Sequence, residues 1–363
     1  MEKNTYALGD KKLKIAVLAG GLSPERDVSL ASGALIARAL IDGGYEVALA
    51  DVYMGIKGEV SDFDSLFTRE KPGLYIIDSR EPDLEALIAS NGGRRSPVGE
   101  NIIELCRAAD VVFLALHGGM GENGQLQATL DSFDICYTGS GYGACFMAMD
   151  KAVTRRVLAA DGVPMAEGFS ARASSLDADE IISRVGLPCV VKPNSCGSSV
   201  GVSIVDTKEE LEAAIGAAAA FDDIAVIEKK IVGREFSVGI LEGRALPAIE
   251  IIPVSGFYDY KNKYQGGCTR EICPAELTEA EAAEAASVAL AAFDALRLEG
   301  YARVDVMQDS GTGRFYCLEA NALPGMTPTS LLPQEAAAAG IGYIELCRRI
   351  VDAAIAKKEK RKA

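Results

Sequence analysis

The stretch Tyr301 to Ser330, YARVDVMQDSGTGRFYCLEANALPGMTPTS, decides how this chain reads. Two strand-like runs, Ala302 to Met307 and Arg314 to Leu318, flank a Ser-Gly-Thr-Gly sequence of the kind that closes hairpins. A turn centred on Thr312 sets Asp305 opposite Glu319. Side-chain alternation then puts Arg303 on the face of Asp305 and Asn321 on that of Glu319. Cross-strand neighbours lie about 5 Å apart. Two acids, an amide and an arginine thus converge on one patch, with no apolar residue to account for it. Such oxygen donors suit hard cations, and Mg²⁺ is often shared with substrate phosphates. A solvated, salt-bridged hairpin is the other reading of the same residues.

The 363 residues suffice for two or three domains with a sizeable core. A net charge of −15 repels phosphate backbones and anionic lipid, so nucleic-acid and membrane-surface binding are not expected. Any site for an anionic ligand must be locally basic. The nine cysteines form no CxxC pair and sit in apolar runs, which suits reduced thiols in a cytoplasmic protein. His117 is the only histidine, which leaves zinc poorly served. The apolar run Ile15 to Ala19 is too short for a signal peptide, and no stretch reaches transmembrane length. A soluble, cytoplasmic protein is expected.

Lys14 to Ala19 reads as a buried strand ending in Gly20-Gly21. Ser23 is the expected N-cap, Pro24 the first helical residue, and Glu25 to Leu40 a helix. Tyr45 to Val52 and Val111 to Leu116 are further strands, and strand–helix–strand at this spacing implies a parallel α/β sheet. Residues 55–100 give a weak signal. Beyond Tyr137 a glycine-rich turn leads to a helix from Met149 to Ala160. The strands Cys189 to Lys192 and Val202 to Val205 then bracket a Gly/Ser loop. Capping-box patterns at Thr207 to Glu210 and Thr278 to Glu281 open two alanine-rich helices. Ala225 to Lys229, Glu235 to Leu241 and Ala248 to Pro253 read as strands. The expected class is α/β followed by α+β, in three parts: 1–139, 140–227 and 228–363.

Several segments could carry chemistry. In KPNSCGSSVG (192–201), glycines and short hydroxyl side chains could close over phosphates, although the loop is no Walker A motif and an ordinary hairpin loop has the same composition. IEKKI (227–231) with Glu235 could offer a purine its backbone and a ribose its carboxylate, or be a wet strand end. FYDYKNKY (257–264) suits a lid whose tyrosines and lysines reach a ligand, or an ordered aromatic loop. LHGGMGENGQLQ (116–127) follows a strand end, where open α/β sheets bind ligands. His117 there could be a general base, a substrate contact or structural. No GxSxG elbow accompanies it.

In order, AGGLSPERDVSLASG (19–33), LHGGMGENGQLQ (116–127), YTGSGYGA (137–144), MDK (149–151), VKPNSCGSSVG (191–201), IEKK (227–230), FYDYKNKY (257–264), ARVDVM (302–307) and LEANALPGMTPTSL (318–331) resemble the D-alanyl-D-alanine ligases of the ATP-grasp superfamily. The resemblance covers nearly the whole chain. It implies an ATP-grasp fold behind a Rossmann-like N-terminal domain. The implied activity is ATP-dependent joining of two D-alanines for peptidoglycan precursors: one carboxylate is phosphorylated, then the second amine attacks the acyl phosphate. Asp305, Glu319 and Asn321 would hold two Mg²⁺ ions, with Mn²⁺ as a substitute. Arg303 would stabilise developing charge on the acyl phosphate and tetrahedral intermediate. Lys151 and Lys192 would contact ATP phosphates, with Lys263 near the γ-phosphate. Glu228, Lys229 and the Ile231 backbone would frame adenine, and Glu235 the ribose.

By the same resemblance Glu25 would bind the ammonium of the first D-alanine, with Ser198 and Tyr264 hydrogen-bonded to it so that loop and lid close and exclude water. Gly325, Ser330 and the Leu331 backbone would receive the second D-alanine and its carboxylate. His117 would orient the substrates. A homodimer is implied as well. The chain departs from the family pattern at GENG (121–124), where GEDG is commoner, and in a longer 55–100 region. A third departure is Cys196 inside the phosphate-loop motif, either an inert thiol or one whose alkylation blocks closure. D-Lactate as second substrate is disfavoured because relatives that use it carry a histidine where this chain has Tyr264; D-serine stays open. A dinucleotide oxidoreductase, with Asp51 ending the second strand, lacks the GxGxxG turn. A non-catalytic ATP-binding relative is opposed by Arg303, Asp305, Glu319 and Asn321 all being present.

Overall fold

The computed structural model describes residues 12–77, 82–197, 199–254 and 269–362. Two compact units emerge. One comprises the chain up to Gly121, Gln127–Thr138 and the segment from Tyr343 on; the other comprises Glu122–Leu126 and Gly139–Gly342.

The first unit is built on a three-stranded parallel sheet of order β2-β1-β3, from β1 (Lys14–Ala19), β2 (Glu46–Asp51) and β3 (Val111–Leu114). Ile15 through Ala19 are fully buried, as befits a central parallel strand covered on both faces. Helix α1 (Arg26–Asp42) packs on β1 and β2, and the C-terminal helix Tyr343–Lys362 packs on α1 and β3. Gly33 allows the close approach of α1, since a Cβ there would lie 2.5 Å from that of Ala19. Ser23 and Pro24 do not begin the helix, contrary to the sequence expectation. Ser23 Oγ accepts the Glu25 N–H at 3.1 Å and its carbonyl accepts that of Arg26 at 3.0 Å. This hydroxyl-closed turn around Pro24 delays the helix, and Glu25 is its N-cap. The weakly patterned 55–100 region holds helix α2 (Leu84–Ser90), and α3 (Ile102–Ala108) follows it. Arg94 fastens the loop after α2 by donating to the carbonyls of Tyr53, Ser96 and Val98. Helix α4 (Gln125–Ser132) follows β3.

In the second unit the helix expected from Met149 is two helices, α5 (Tyr142–Met149) and α6 (Lys151–Ala160). Asp150 separates them: its extended backbone breaks the first, and its carboxylate caps the second by accepting the Val153 N–H at 2.9 Å. A four-stranded antiparallel sheet of order β4-β7-β5-β6 joins β4 (Gly168–Arg172), β5 (Cys189–Pro193), β6 (Ser203–Val205) and β7 (Ile224–Lys229). Helices α7 (Ala178–Arg184) and α8 (Lys208–Ala219) cover it, the latter with the expected capping box at Thr207 and Glu210.

A larger antiparallel sheet runs β11-β10-β8-β12-β13, with β9 attached to β8. Its strands are β8 (Gly233–Leu241), β9 (Arg244–Ala245), β10 (Ile249–Pro253), β11 (Thr269–Ile272), β12 (Tyr301–Asp309) and β13 (Phe315–Asn321). Helices α5, α6 and α9 (Glu279–Ala295) pack on one face, over Phe236, Val238, Val304, Val306 and Cys317. Helix α10 (Leu331–Ala338) meets β8 and β10 instead, where Leu331 joins Ile249 and Ile251 in a small separate core.

Candidate active site

The β12–β13 hairpin sets Arg303 opposite Asn321 and Asp305 opposite Glu319. The register then slips. Val306 faces Cys317, so Leu318 is an extra residue on β13, a bulge beside the acidic pair. Val304, Val306 and Cys317 point into the core, and the alternating Arg303, Asp305 and Met307 occupy the opposite face. Arg303 grips Asp305 in a fork, Nε to Oδ1 at 2.9 Å and Nη2 to Oδ2 at 2.8 Å, while Asn321 Nδ2 donates to Oδ2 at 3.3 Å. Asp305 is 5% exposed.

A cavity of about 540 Å³ opens over this patch. Lys192 of β5, Glu228 and Lys229 at the end of β7, Ile231, Glu235 of β8, Asp305 and Glu319 all line it. A smaller void of about 50 Å³ adjoins it, bounded by Glu122, Lys151, Arg155, Lys192, Glu228, Glu319 and Asn321. Glu228 stands in both walls between two cations, 2.5 Å from Arg155 Nη1 and 2.6 Å from Lys192 Nζ. Burial alone would raise its carboxyl pKa, yet Lys192 and Arg155 hold it below the usual range. Burial likewise opposes the charge of Lys192, and Glu228 and Glu319 outweigh it and raise the lysine. Lys151 goes the other way: burial lowers it, with Lys192 adding repulsion against the pull of Glu319. Among the described residues the cavity lining therefore sets cations against carboxylates in equal number, and is not the locally basic site expected for an anionic ligand.

Lys151 is placed by its helix start. Asn194 accepts the Lys151 N–H through its carbonyl at 3.1 Å and the Ala152 N–H through Oδ1 at 2.8 Å, and Lys151 Nζ donates to the Cys196 carbonyl at 2.6 Å. The base of the Gly/Ser loop is thus sewn to the start of α6. Burial pushes the Cys196 thiol upward.

Gly325 and Ser330 come together, for a Cβ at 325 would lie 2.8 Å from Ser330 Oγ. That hydroxyl also contacts Thr327, at 3.1 Å from its N–H and 2.8 Å from its Oγ1, and Leu331 follows as the first residue of α10. In the first unit Gly118 allows the turn after β3 to approach Glu25, since a Cβ there would lie 3.0 Å from Glu25 Oε2. The neighbouring His117 is 6% exposed, with Nε2 3.3 Å from Ser32 Oγ. Asp51, the residue that mimicked a dinucleotide fold, is taken up by an ion pair with Arg26 and by the N–H groups of Gly21, Tyr53 and Met54. Ser198, Lys263, Tyr264 and the rest of the 257–264 lid lie outside the described residues.

Arg155 was not singled out from the sequence. The available signal was its position four residues after Lys151, which puts both cations on one helix face. Among the described residues no three His, Cys, Asp or Glu side chains could hold a metal by themselves. Asp305 and Glu319 with the Asn321 amide nevertheless form an all-oxygen donor set that suits a hard cation completed by phosphate oxygens.

Known proteins resemble this chain over most of its length. The model of the D-ala D-ala ligase N-terminus matches residues 14–140, and that of the D-ala D-ala ligase C-terminus matches residues 158–352. A D-alanine–D-alanine ligase of Pediococcus pentosaceus is 43% identical, over 93% of this chain and 97% of its own length. One from Haemophilus ducreyi is 40% identical, over 95% and 99% respectively. Among solved structures, the ligase of Bacillus anthracis complexed with ATP superposes with a TM-score of 0.74 at 30% identity, covering 97% of this chain and all of that one.

Proposed function

The chain belongs to the D-alanine–D-alanine ligase family, and on that premise we propose that it joins two D-alanines at the expense of ATP, for peptidoglycan precursor synthesis. The observation that carries this reading is the cavity whose walls hold Lys151, Lys192 and Glu228 and whose floor holds Asp305 and Glu319. ATP fits such a place, with cations for its phosphates and the strand end Glu228–Ile231 for adenine; Glu235 takes the ribose. Lys151 and Lys192 bind the phosphates. Glu228, fixed by Arg155, also presets Lys192. Residues 140–227 with the phosphate loop and 228–363 with the catalytic hairpin function as two subdomains, although the segment from Tyr343 on belongs to the first compact unit.

A carboxylate oxygen of the first D-alanine attacks the γ-phosphorus and ADP departs. The amine of the second D-alanine then attacks the acyl carbon, inorganic phosphate leaves, and the amine sheds its proton to give the dipeptide. Asp305, Glu319 and Asn321 would hold two Mg²⁺ ions (or Mn²⁺), which supply neutralising charge to the transferred phosphoryl group. Arg303 balances the charge that grows on the acyl phosphate and tetrahedral intermediate. Glu25 receives the first ammonium, with His117 as orienting neighbour. Gly325, Ser330 and the Leu331 backbone receive the second D-alanine. Ser198, Lys263 and Tyr264 belong to the loop and lid that keep water from the acyl phosphate. The enzyme works in the cytoplasm as a homodimer; no helix among the described residues is long and apolar enough to cross a membrane.

The test is phosphate release from ATP and Mg²⁺ with D-alanine, D-serine, D-lactate or L-alanine, with products identified by mass. Release with D-alanine and formation of the dipeptide is expected. A mixed D-alanyl-D-serine product would change the substrate assignment, and no release with any of the four would remove the activity.

A further inference from the structure

One ionisable side chain of the second unit has no task in this scheme. Glu335 of α10 is fully buried; its Oε1 accepts the Gly239 N–H at 2.9 Å, and its Oε2 has no hydrogen-bond partner among the described residues. The Gly239 N–H falls in a gap of the sheet. The β8–β10 ladder stops at Ser237 opposite Ile249, and the β8–β9 ladder starts at Ile240 opposite Ala245. The Gly239 carbonyl is taken by the Leu246 N–H at 2.7 Å, which leaves Glu335 as acceptor for the amide.

Contact here is close, since a Cβ at Gly239 would lie 2.4 Å from Glu335 Oε2 and 2.6 Å from Leu332 Cδ1. In the β8–β12 ladder Gly239 stands opposite Arg303 and Ser237 opposite Asp305, and opposed residues share a face. Helix α10 therefore lies on the sheet face that bears Arg303 and Asp305. Its first turn begins at Ser330 and Leu331.

We propose that Glu335 is a positioning residue, anchoring α10 to β8 so that Ser330 and Leu331 stand at a fixed distance from Arg303. The inference rests on the reading that Ser330 and Leu331 receive the second D-alanine. Burial pushes the Glu335 carboxyl up to about 8, against the Gly239 N–H and Arg303, which favour its ionised form, while Asp305 opposes it. The anchor is thus an un-ionised acid at neutral pH. Among the described residues Cys273 also feels it, its thiol pushed up to about 11 by burial and Glu335, while Glu271 accepts from the adjacent Gln334 at 2.6 Å. Ionisation adds a second carboxylate to the field acting on Arg303, which already pairs with Asp305.

Initial rates of the full-length enzyme, with ATP and D-alanine varied separately, test this in wild type, Glu335→Leu and Glu335→Gln. Leucine leaves the Gly239 N–H unpaired; it is expected to raise KM for the second D-alanine about tenfold and KM for ATP by no more than about twofold. Glutamine keeps the acceptor and is expected to restore the wild-type value at pH 7. In wild type, kcat/KM for the second D-alanine falls as pH passes about 8, and Glu335→Gln lacks that fall. An equal rise in both KM values, no rise in either, failed rescue by glutamine, or identical pH profiles would each overturn the proposal. If the leucine variant does not fold, the glutamine and wild-type profiles decide alone. A wild type that makes no dipeptide overturns the functional reading and this inference together, whereas an active enzyme with an unsplit KM response overturns only the inference.

Discussion

Arg303 closes on Asp305 with two parallel hydrogen bonds, Nε to Oδ1 at 2.9 Å and Nη2 to Oδ2 at 2.8 Å, so both oxygens of a proposed metal ligand are engaged by the residue proposed to steady the transition state. A cation arriving at Asp305 must share that carboxylate with Arg303 or displace it. Displacement would free the guanidinium for the acyl phosphate at the moment the metal arrives, coupling the two roles.

Asp305→Asn keeps the shape and removes the charge. It is expected to lower kcat by about 10²-fold or more and to raise the Mg²⁺ concentration needed for half-maximal rate. Phosphate release across a Mg²⁺ titration measures both. An unchanged Mg²⁺ requirement would remove Asp305 from the ligand set.

Arg303→Lys keeps the charge and loses the planar fork. Its kcat/KM is expected to fall about 10²-fold, because an ammonium cannot span two oxygens in fixed geometry. Thermal melting checks that the fold survives; a near-wild-type rate in a folded variant would show that charge alone suffices.

Glu228→Ala leaves Arg155 and Lys192 buried without their shared counter-charge. Unfolding in urea at pH 7 is expected to show a loss of about 3–5 kcal/mol. The depressed carboxyl of Glu228 stabilises the fold above its ordinary value of 4.5, and that contribution drains away as pH falls through its lower folded value. The stability gap between wild type and Glu228→Gln therefore narrows in acid. A gap that stays constant from pH 7 to pH 3 would argue against the ion pairs.

Glu335 carries the opposite sign. Its folded-state pKa is raised from 4.5 to about 8, so the folded protein binds the extra proton and wild-type stability declines as pH rises across that window. Glu335→Gln does not titrate. It is expected to match wild type near pH 4, to gain on it steadily between about 5 and 8, and to hold a constant lead above that. Parallel stability curves for the two proteins would refute the buried acid.

What the sequence made legible was local. Asp305 faces Glu319 as expected, but not through a turn centred on Thr312: Met307 faces Tyr316 and Gln308 faces Phe315, which centres the turn between Gly311 and Thr312, and the extra Leu318 restores the pairing. The bulge at Leu318 was hidden, because strand alternation alone carries no sign of an inserted residue. Capping boxes at Thr207 and Thr278 marked two helix starts, whereas Ser23 misled because a serine before proline serves a turn as readily as a cap. The proposed nucleotide pocket was foreshadowed by Lys151, Lys192 and Glu228, but Arg155 was marked only by its spacing from Lys151. Glu335 had no marker in the sequence, since LLPQEAAAAG has the pattern of an ordinary helix start and only the gap at Gly239 shows why an acid is buried there. Long-range returns, such as the C-terminal helix packing on α1, have no local signature at all.

The slip at Leu318 has a bearing on how this hairpin can change. Strand β12 holds one continuous register with β8 from Tyr301 to Asp309, while the offset between β12 and β13 falls between the acidic pair and the turn. Insertions or deletions in the loop at 310–314 can be absorbed on the turn side of that offset, leaving Asp305 facing Glu319. The arrangement gives a lineage room to remodel an exposed tip without disturbing the chemistry a few residues away.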